Sequence, residues 1–213
     1  DPARGLDTGE VFAFIEATQA QEWARLTKLH GGNQAVARAR FTERLVRELD
    51  SRGTVDVLRQ GVVDLGVTIR LAFFRPAHGL TASITARYAA NRLTVTRQLA
   101  YEASTKTVDL CLFVNGLPVT TAELKNPITG QTIEEAKAQY RTDRDPRNVT
   151  LSRRAVVHFA VDTELVAMTT RLAGRSTRFL PFNRGHDGGA GNPPNPDGHR
   201  TAYLWERVWQ RDA

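Results

Sequence analysis

The chain has 213 residues, 41% of them hydrophobic and 24% charged, which is the composition of a folded protein and excludes a disordered one. Its single cysteine, Cys111, excludes a disulfide framework and a four-thiolate metal site, and no apolar run approaches the ~20 residues that span a bilayer. The 29 Lys and Arg exceed the 23 Asp and Glu, so the net charge of +6 is compatible with a nucleic-acid partner without requiring one. We expect one cytoplasmic domain with no membrane partner.

Helical patterns occupy the N-terminal part of the chain. Apolar residues spaced three to four apart predict a helix capped by Asp7 or Thr8, and a similar apolar face continues to Leu29. A second helix is predicted over residues 35–49, where the same spacing recurs. We therefore expect a helical extension over residues 1–60 that packs on a core.

Strand patterns follow. Residues 67–73 alternate between apolar and small or charged types, as a half-buried strand does. Further strands are predicted over 93–99, 107–114, 118–124, 155–161 and 165–169, and further helices from about Thr132 to Arg141 and over 202–209. This order predicts an α/β (α+β) fold with a central mixed sheet flanked by helices. The core would span 61–182, and a Gly- and Pro-rich loop with a terminal helix would span 183–213.

The segment from Thr107 to Pro127 is the most informative about chemistry. Two apolar strands flank Asn115-Gly116, a strong hairpin signal; the first carries Asp109 and the second ends in Glu123-Leu124-Lys125. Charged residues in an apolar strand need each other or a metal. Two carboxylates and the Leu124 carbonyl are hard oxygen ligands suited to Mg²⁺. Lys125 projects from the same face as Glu123 and would orient a water or offset charge on a phosphate.

The register of this hairpin decides whether the two acids can share a metal. A regular two-residue turn would pair Asp109 with Ala122 and turn Glu123 to the opposite face of the sheet. A three-residue loop or a bulge would place Asp109 opposite Glu123. We therefore predict an odd-length or bulged hairpin. The alternative to a metal site is a surface salt bridge between Lys125 and either acid.

A family resemblance extends over nearly the whole chain. The Asp109…Glu123-Leu124-Lys125 arrangement resembles the PD-(D/E)XK nuclease core. Longer segments resemble the N-terminal region of type I restriction enzyme restriction subunits (HsdR), namely LDTGEVFAFIEATQ, RGTVDVLRQGV, LFVNGLPVTTAELKNP, QYRTDRDP, VVHFAVDTE, MTTRLAGRSTRFLPFNRG and TAYLWERVWQRD.

The resemblance implies a restriction-endonuclease-like core and a Mg²⁺-dependent DNA endonuclease, the nuclease domain of a type I site-specific deoxyribonuclease. In that family the domain precedes an ATP-driven DNA translocase, and the subunit assembles with modification and specificity subunits on double-stranded DNA. The chain has no phosphate-binding Gly-x-x-x-x-Gly-Lys-Ser/Thr motif. ATP is therefore expected only for a motor beyond Ala213, and we interpret the chain as one domain of a larger subunit.

The same resemblance assigns residue roles. Asp109 and Glu123 would be metal ligands, with the Leu124 carbonyl, and Lys125 would be the catalytic lysine. A family Gln-x-x-x-Tyr motif matches Tyr140, with Ala136 at the glutamine position and Gln139 as the nearest amide. Many nucleases with this core use a glutamate on the first helix. Glu43 is the tentative candidate and Glu48 the alternative, although a solvated helix position is the favoured interpretation for both.

Basic residues directly follow the proposed site, where a DNA backbone would lie. They are Lys137, Arg141, Arg144, Arg147, Arg153 and Arg154, and they would neutralise phosphates without reading sequence. We expect Tyr140, Gln139, Lys137, Arg141 and Arg144 to contact DNA. Two rival interpretations remain open: a catalytically silent nuclease-like module for DNA binding or assembly, and an unrelated α/β binding protein with a coincidental acid-acid-lysine pattern.

Overall fold

Four helices form the N-terminal layer. The computed structural model describes residues 1–102 and 106–212, and it places α1 at Thr8–Thr18, α2 at Ala20–Leu29, α3 at Gln34–Arg52 and α4 at Thr54–Gln60. Asp7 caps α1, because its side chain accepts a hydrogen bond from the Glu10 N–H, and Gly53, with a φ of 79°, ends α3. The helical prediction for this region is confirmed except that Gln19, with a φ of −144°, divides the first predicted helix into α1 and α2, and α4 is an addition. In the described parts of the chain, no helix is both long and apolar enough to cross a membrane.

A six-stranded mixed sheet follows. Its strands are β3 (Leu93–Ala100), β4 (Thr107–Val114), β5 (Leu117–Leu124), β6 (Val157–Val161), β7 (Val166–Thr169) and β8 (Leu180–Pro181), while β1 (Val62–Asp64) and β2 (Val67–Ile69) form a separate hairpin. The six strands lie side by side in chain order; β5 and β6 are parallel and the other neighbours antiparallel.

The remaining helical elements flank this sheet. Helix α5 (Ala82–Ala89) precedes it, and α6 (Ile133–Ala138) lies in the crossover between the parallel strands. A 3₁₀ turn covers Pro127–Thr129, and π-helical turns cover Gln139–Asp143, Thr150–Arg154 and Leu204–Val208. The predicted α+β class is confirmed: helices flank a mixed sheet, consistent with a nuclease-like core. The predicted terminal helix is a π-helical turn.

The predicted strand over residues 67–73 is shorter in the structure and ends at Ile69. The side chain of Gln19 forms hydrogen bonds with the main chain of the next residue, Arg70. Its Oε1 accepts from the Arg70 N–H at 2.7 Å, and its Nε2 donates to the Arg70 carbonyl at 2.9 Å. Side-chain bonds therefore replace strand pairing at this point, a contact between distant parts of the chain that alternation cannot reveal.

The β4–β5 hairpin carries the predicted bulge. Asn115 and Gly116 form a two-residue turn with φ of 51° and 81°, so the three-residue version of the prediction is wrong. Phe113 pairs with Pro118 but Leu112 pairs with Thr120, so one extra residue lies in β5. Beyond the bulge Leu110 pairs with Ala122, and the next positions, Asp109 and Glu123, lie opposite each other. The bulged register is confirmed.

The N-terminal helices contact the sheet directly. The Asp7 N–H donates to the Gly116 carbonyl at 2.9 Å, and Leu117 belongs to the apolar cluster of the helices. A Cβ on Gly116 would lie 2.3 Å from the Asp7 carbonyl oxygen, so only glycine fits this contact. Farther along the chain, Arg154 is buried and donates to Asp50 of α3 at 2.8 Å. The predicted boundaries at residues 60 and 182 stay predictions, and residue 213 lies outside the described residues.

Candidate active site

Asp109 lies near the start of β4 and is half-buried. Its Oδ2 accepts a hydrogen bond from the Leu124 N–H at 2.8 Å, across the hairpin, and its Oδ1 accepts one from Gln98 Nε2 at 2.9 Å. Each carboxylate oxygen thus has one donor and keeps acceptor capacity for another partner. The carboxylate is held in place from two strands.

Glu123 lies opposite Asp109 and is fully buried, with 0% of its surface exposed. Its Oε1 accepts from Arg144 Nε at 2.6 Å, whereas Oε2 has no hydrogen-bond partner in the described structure. Burial raises the pKa of Glu123 to about 7; Arg144 opposes that shift, and the neighbouring Asp109 carboxylate adds to it. The second oxygen is therefore a buried acceptor beside another carboxylate.

Arg144 reaches Glu123 because a π-helical turn follows α6. The Arg144 N–H donates to the Gln139 carbonyl at 3.1 Å and closes this turn. The guanidinium is enclosed, with the side chain 7% exposed. Arg144 is thus the counter-ion of Glu123, and its expected DNA contact stays a prediction.

Lys125 directly follows β5 and is half-buried. Its N–H donates to the Val161 carbonyl at 2.8 Å, which continues the parallel pairing past the strand end. Within the described residues, no ion pair joins Lys125 to Asp109 or Glu123. The alternative of a salt bridge between Lys125 and either acid is therefore wrong.

Tyr140 lies behind the site, in the interior. It has no exposed surface, and its hydroxyl is 2.8 Å from Thr121 Oγ1, which in turn is 2.7 Å from His158 Nδ1. Desolvation raises the pKa of Tyr140 well above its usual value and lowers the pKa of His158 to about 4, so both groups are neutral. Tyr140 thus packs in the interior with no exposed surface, and its predicted DNA contact stays a prediction.

Three other residues expected to bind DNA are only partly available. Lys137 pairs with Glu134 at 2.7 Å on the surface of α6, and Arg141 donates to the Thr177 carbonyl at 3.2 Å. The Oε1 of Gln139 is buried without a hydrogen-bond partner in the described structure. The structure therefore brings together the two acids and Arg144, and leaves Lys137 and Arg141 bonded elsewhere.

The two helix glutamates form ion pairs along α3, where Glu43 is exposed but the Glu48 side chain is only 14% exposed. Glu43 is exposed and lies 3.6 Å from Arg40 of the same helix. Glu48 accepts from Arg44 and from Arg52, each at 2.7 Å. These intrahelical ion pairs are typical of a solvated helix face, and the tentative role of Glu43 gains no support from them.

The oxygen atoms of the site fit a divalent cation. Carboxylate and carbonyl oxygens are the ligands that Mg²⁺ takes, and Glu123 supplies one buried oxygen with no other partner next to Asp109. Across the described residues, no three His, Cys, Asp or Glu side chains gather into a metal-binding group. Two carboxylates would therefore need the Leu124 carbonyl or waters to complete the coordination.

One family model matches most of the chain. The model of the type I restriction enzyme R protein N terminus covers residues 18–177 of the 213. The chain belongs to this family. No curated protein and no solved structure matches the chain. The match assigns the chain to the N-terminal region of a type I restriction enzyme R subunit, and the matched range includes Asp109, Glu123 and Lys125.

In this R-subunit region the structure adds Gln98 to the residues that patterns had suggested. Gln98 donates to Asp109 and accepts from the Thr107 hydroxyl at 2.6 Å, with its own φ at 50° in the left-handed region. Arg97 pairs with Leu110 and Leu99 pairs with Val108, so Gln98 lies opposite Asp109. The sequence feature that could have identified Gln98 is a polar residue placed opposite Asp109, the lone acid of an apolar strand. Strain beside functional groups is a recurring feature of active sites.

Proposed function

We propose that this R-subunit region is a Mg²⁺-dependent DNA endonuclease of the PD-(D/E)XK class. The observation that carries the proposal is the unpartnered Oε2 of Glu123 beside the Asp109 carboxylate. A bare buried carboxylate oxygen is unfavourable unless a proton or a cation occupies it. The substrate would be double-stranded DNA, and the modification and specificity subunits would be the partners.

The side chains around the acids have separable roles in this proposal. Asp109, Glu123 and the Leu124 carbonyl would hold Mg²⁺, which when bound supplies Lewis acidity for hydrolysis of a phosphodiester by water. Arg144 holds one oxygen of Glu123 and leaves the other free. Lys125, which has no carboxylate partner among these acids, would offset the negative charge that develops on the phosphate.

Plasmid cleavage by the assembled restriction enzyme, with Mg²⁺ and ATP, tests this function. We expect Lys125→Ala to reduce cleavage by about 100-fold or more while DNA-stimulated ATP hydrolysis continues, since loss of one charge-stabilising group has an effect of that order. Lys28→Ala, an exposed lysine of α2, is the matched control and should cleave normally. Unchanged cleavage by Lys125→Ala would refute the catalytic assignment.

A catalytically silent DNA-binding or assembly module is the second candidate. The buried Arg144 favours it, because its guanidinium already supplies a positive charge to Glu123. In that case the wild-type assembled enzyme would bind DNA and hydrolyse ATP but leave the plasmid intact at every Mg²⁺ concentration. Cleavage that Lys125→Ala abolishes would exclude the silent module.

A further inference from the structure

The loop that joins β7 to β8 carries positive charge without counter-ions. Arg171, Arg175 and Arg178 are all exposed, and in the parts of the chain that the structure describes none of them forms an ion pair. Residues 165–186 contain no Asp or Glu. We call residues 170–179 the arginine loop.

The basic residues in α6 and after it differ from this loop because most of them already form ion pairs. Their ion pairs are Lys137 with Glu134, Arg144 with Glu123, Arg147 with Asp145 and Arg154 with Asp50. A paired cation attracts a phosphate weakly, since its partner repels the same phosphate. The arginines of the loop, which have no ion pair in the described structure, are therefore more available to a phosphate than these paired residues.

Hydrogen bonds hold the arginine loop in a defined shape. The buried Thr177 accepts from the Ala173 N–H at 2.8 Å and donates to the Gly174 carbonyl at 2.7 Å through its hydroxyl. Arg171, Ser176 and Arg178 line the same surface depression. The arginines therefore project from an ordered turn, and two of them converge with a hydroxyl on one concave feature.

The arginine loop packs against the segment that completes the candidate site. Arg141 donates to the Thr177 carbonyl, and the rings of Phe179 and Tyr140 lie 5.9 Å apart. Four residues after Tyr140, Arg144 contacts Glu123. The loop thus packs against Tyr140 and Arg141, in the same segment that supplies Arg144 to Glu123.

We propose that the arginine loop is the surface that binds the DNA backbone, with Arg171, Arg175 and Arg178 contacting phosphates. The inference rests on the proposed function and deepens it. The carboxylates of the site repel phosphate, so nearby free cations must hold the strand against them. Guanidinium groups on a loop, with no helix or strand shaped to enter a groove, bind phosphates without reading bases.

Salt-dependent binding to a duplex of about 30 base pairs tests the proposal, measured by fluorescence anisotropy in EDTA between 50 and 200 mM salt. In the loop variant Arg171, Arg175 and Arg178 become Gln. We expect the slope of log affinity against log salt to become shallower by about 2 to 3 in this variant, because three phosphate contacts are lost. Its affinity for the duplex should fall by about 10- to 100-fold. The matched control changes Arg25, Arg47 and Arg59 to Gln, which are exposed on the N-terminal helices, and should bind within about twofold of wild type.

Two results would overturn the arginine-loop proposal: a loop variant that binds like wild type, or a control variant that loses as much affinity, which would make net charge the cause. A variant with Lys at the same three loop positions guards against misfolding and should keep the wild-type slope. Because EDTA removes divalent metal, binding is scored independently of cleavage. If the chain binds DNA through this loop but the assembled enzyme with Mg²⁺ and ATP leaves the plasmid intact, the nuclease proposal is refuted and the binding surface stands.

Discussion

Arg144→Met would leave the buried Glu123 carboxylate without its counter-ion. Glu123 is 0% and Arg144 7% exposed, with 2.6 Å between Nε and Oε1. Removal of one partner from a buried ion pair costs about 3–5 kcal/mol when the remaining group stays charged. Glu123 can take up a proton instead, and because its pKa is already about 7, we expect the free energy of unfolding at pH 8 to fall by only about 1–2 kcal/mol. Burial already raises the pKa of Glu123 to about 7, so near pH 5.5 the unpaired carboxyl is protonated and the loss should be smaller.

Urea denaturation at pH 5.5 and pH 8, followed by tryptophan fluorescence, measures this loss. Arg147→Met removes an exposed ion pair with Asp145 from the same segment and should leave stability unchanged. The double variant Glu123→Gln/Arg144→Met, which leaves no buried charge, should recover most of the loss. A single Arg144→Met variant as stable as wild type at pH 8, or equally destabilised at both pH values, would refute the reasoning.

Three further variants test other parts of the structure. Burial lowers the pKa of His158 to about 4, so on acidification His158 takes up a proton in the unfolded chain before it does in the folded one, and the free energy of unfolding should fall by about 3 kcal/mol as the pH drops from 6.5 to 4. Urea titrations of His158→Gln should lack this pH-dependent loss. Equal pH profiles for the variant and wild type would contradict the prediction. Gly116→Ala should lower the free energy of unfolding by more than about 2 kcal/mol in thermal or urea melts, because the new Cβ would clash with the α1 backbone. Gly66 has a similar φ but open space around it, so Gly66→Ala should cost only about 1 kcal/mol. Equal losses in the two variants would exclude the steric cause. Gln98→Gly relieves the strain of a positive φ and removes the hydrogen-bond donor to Asp109. The free energy of unfolding should stay within about 1 kcal/mol of wild type, while the Mn²⁺ affinity measured by calorimetry should fall about 10- to 100-fold. An unchanged Mn²⁺ affinity would contradict a positioning role for Gln98.

The bulge in the β4–β5 hairpin was predictable from the sequence. Asp109 and Glu123 can face each other only if the pairing gains or loses one residue, because side chains alternate between the faces of a sheet. The sequence did not reveal where that residue lies, since Asn115-Gly116 forms a regular turn and the insertion follows Pro118. The register of the β4–β5 hairpin followed from the alternation of side chains between the two faces of the sheet, whereas the position of the bulge depended on packing.

The roles of Arg144 and Tyr140 were not predictable from local patterns. A run of basic residues looks the same whether its members face solvent or pair with acids, and the partner of Arg144 is 21 positions away in the chain. The π-helical turn that aims Arg144 inward leaves no mark in apolar spacing. Tyr140 was placed on the correct helical segment, but its burial against Thr121 depends on how that segment crosses the sheet.

The hydrogen bond between Asp7 and Gly116 has a consequence for folding. It joins the first helix to the hairpin that presents the acids, across a large separation in sequence, and the Arg154–Asp50 pair does the same between α3 and the approach to β6. Such contacts raise the contact order, which slows folding, and they bind helices and sheet into one cooperative transition. In such a transition the acids reach their mutual positions together with the docking of the N-terminal helices, and an incompletely folded chain would not hold Asp109 and Glu123 side by side.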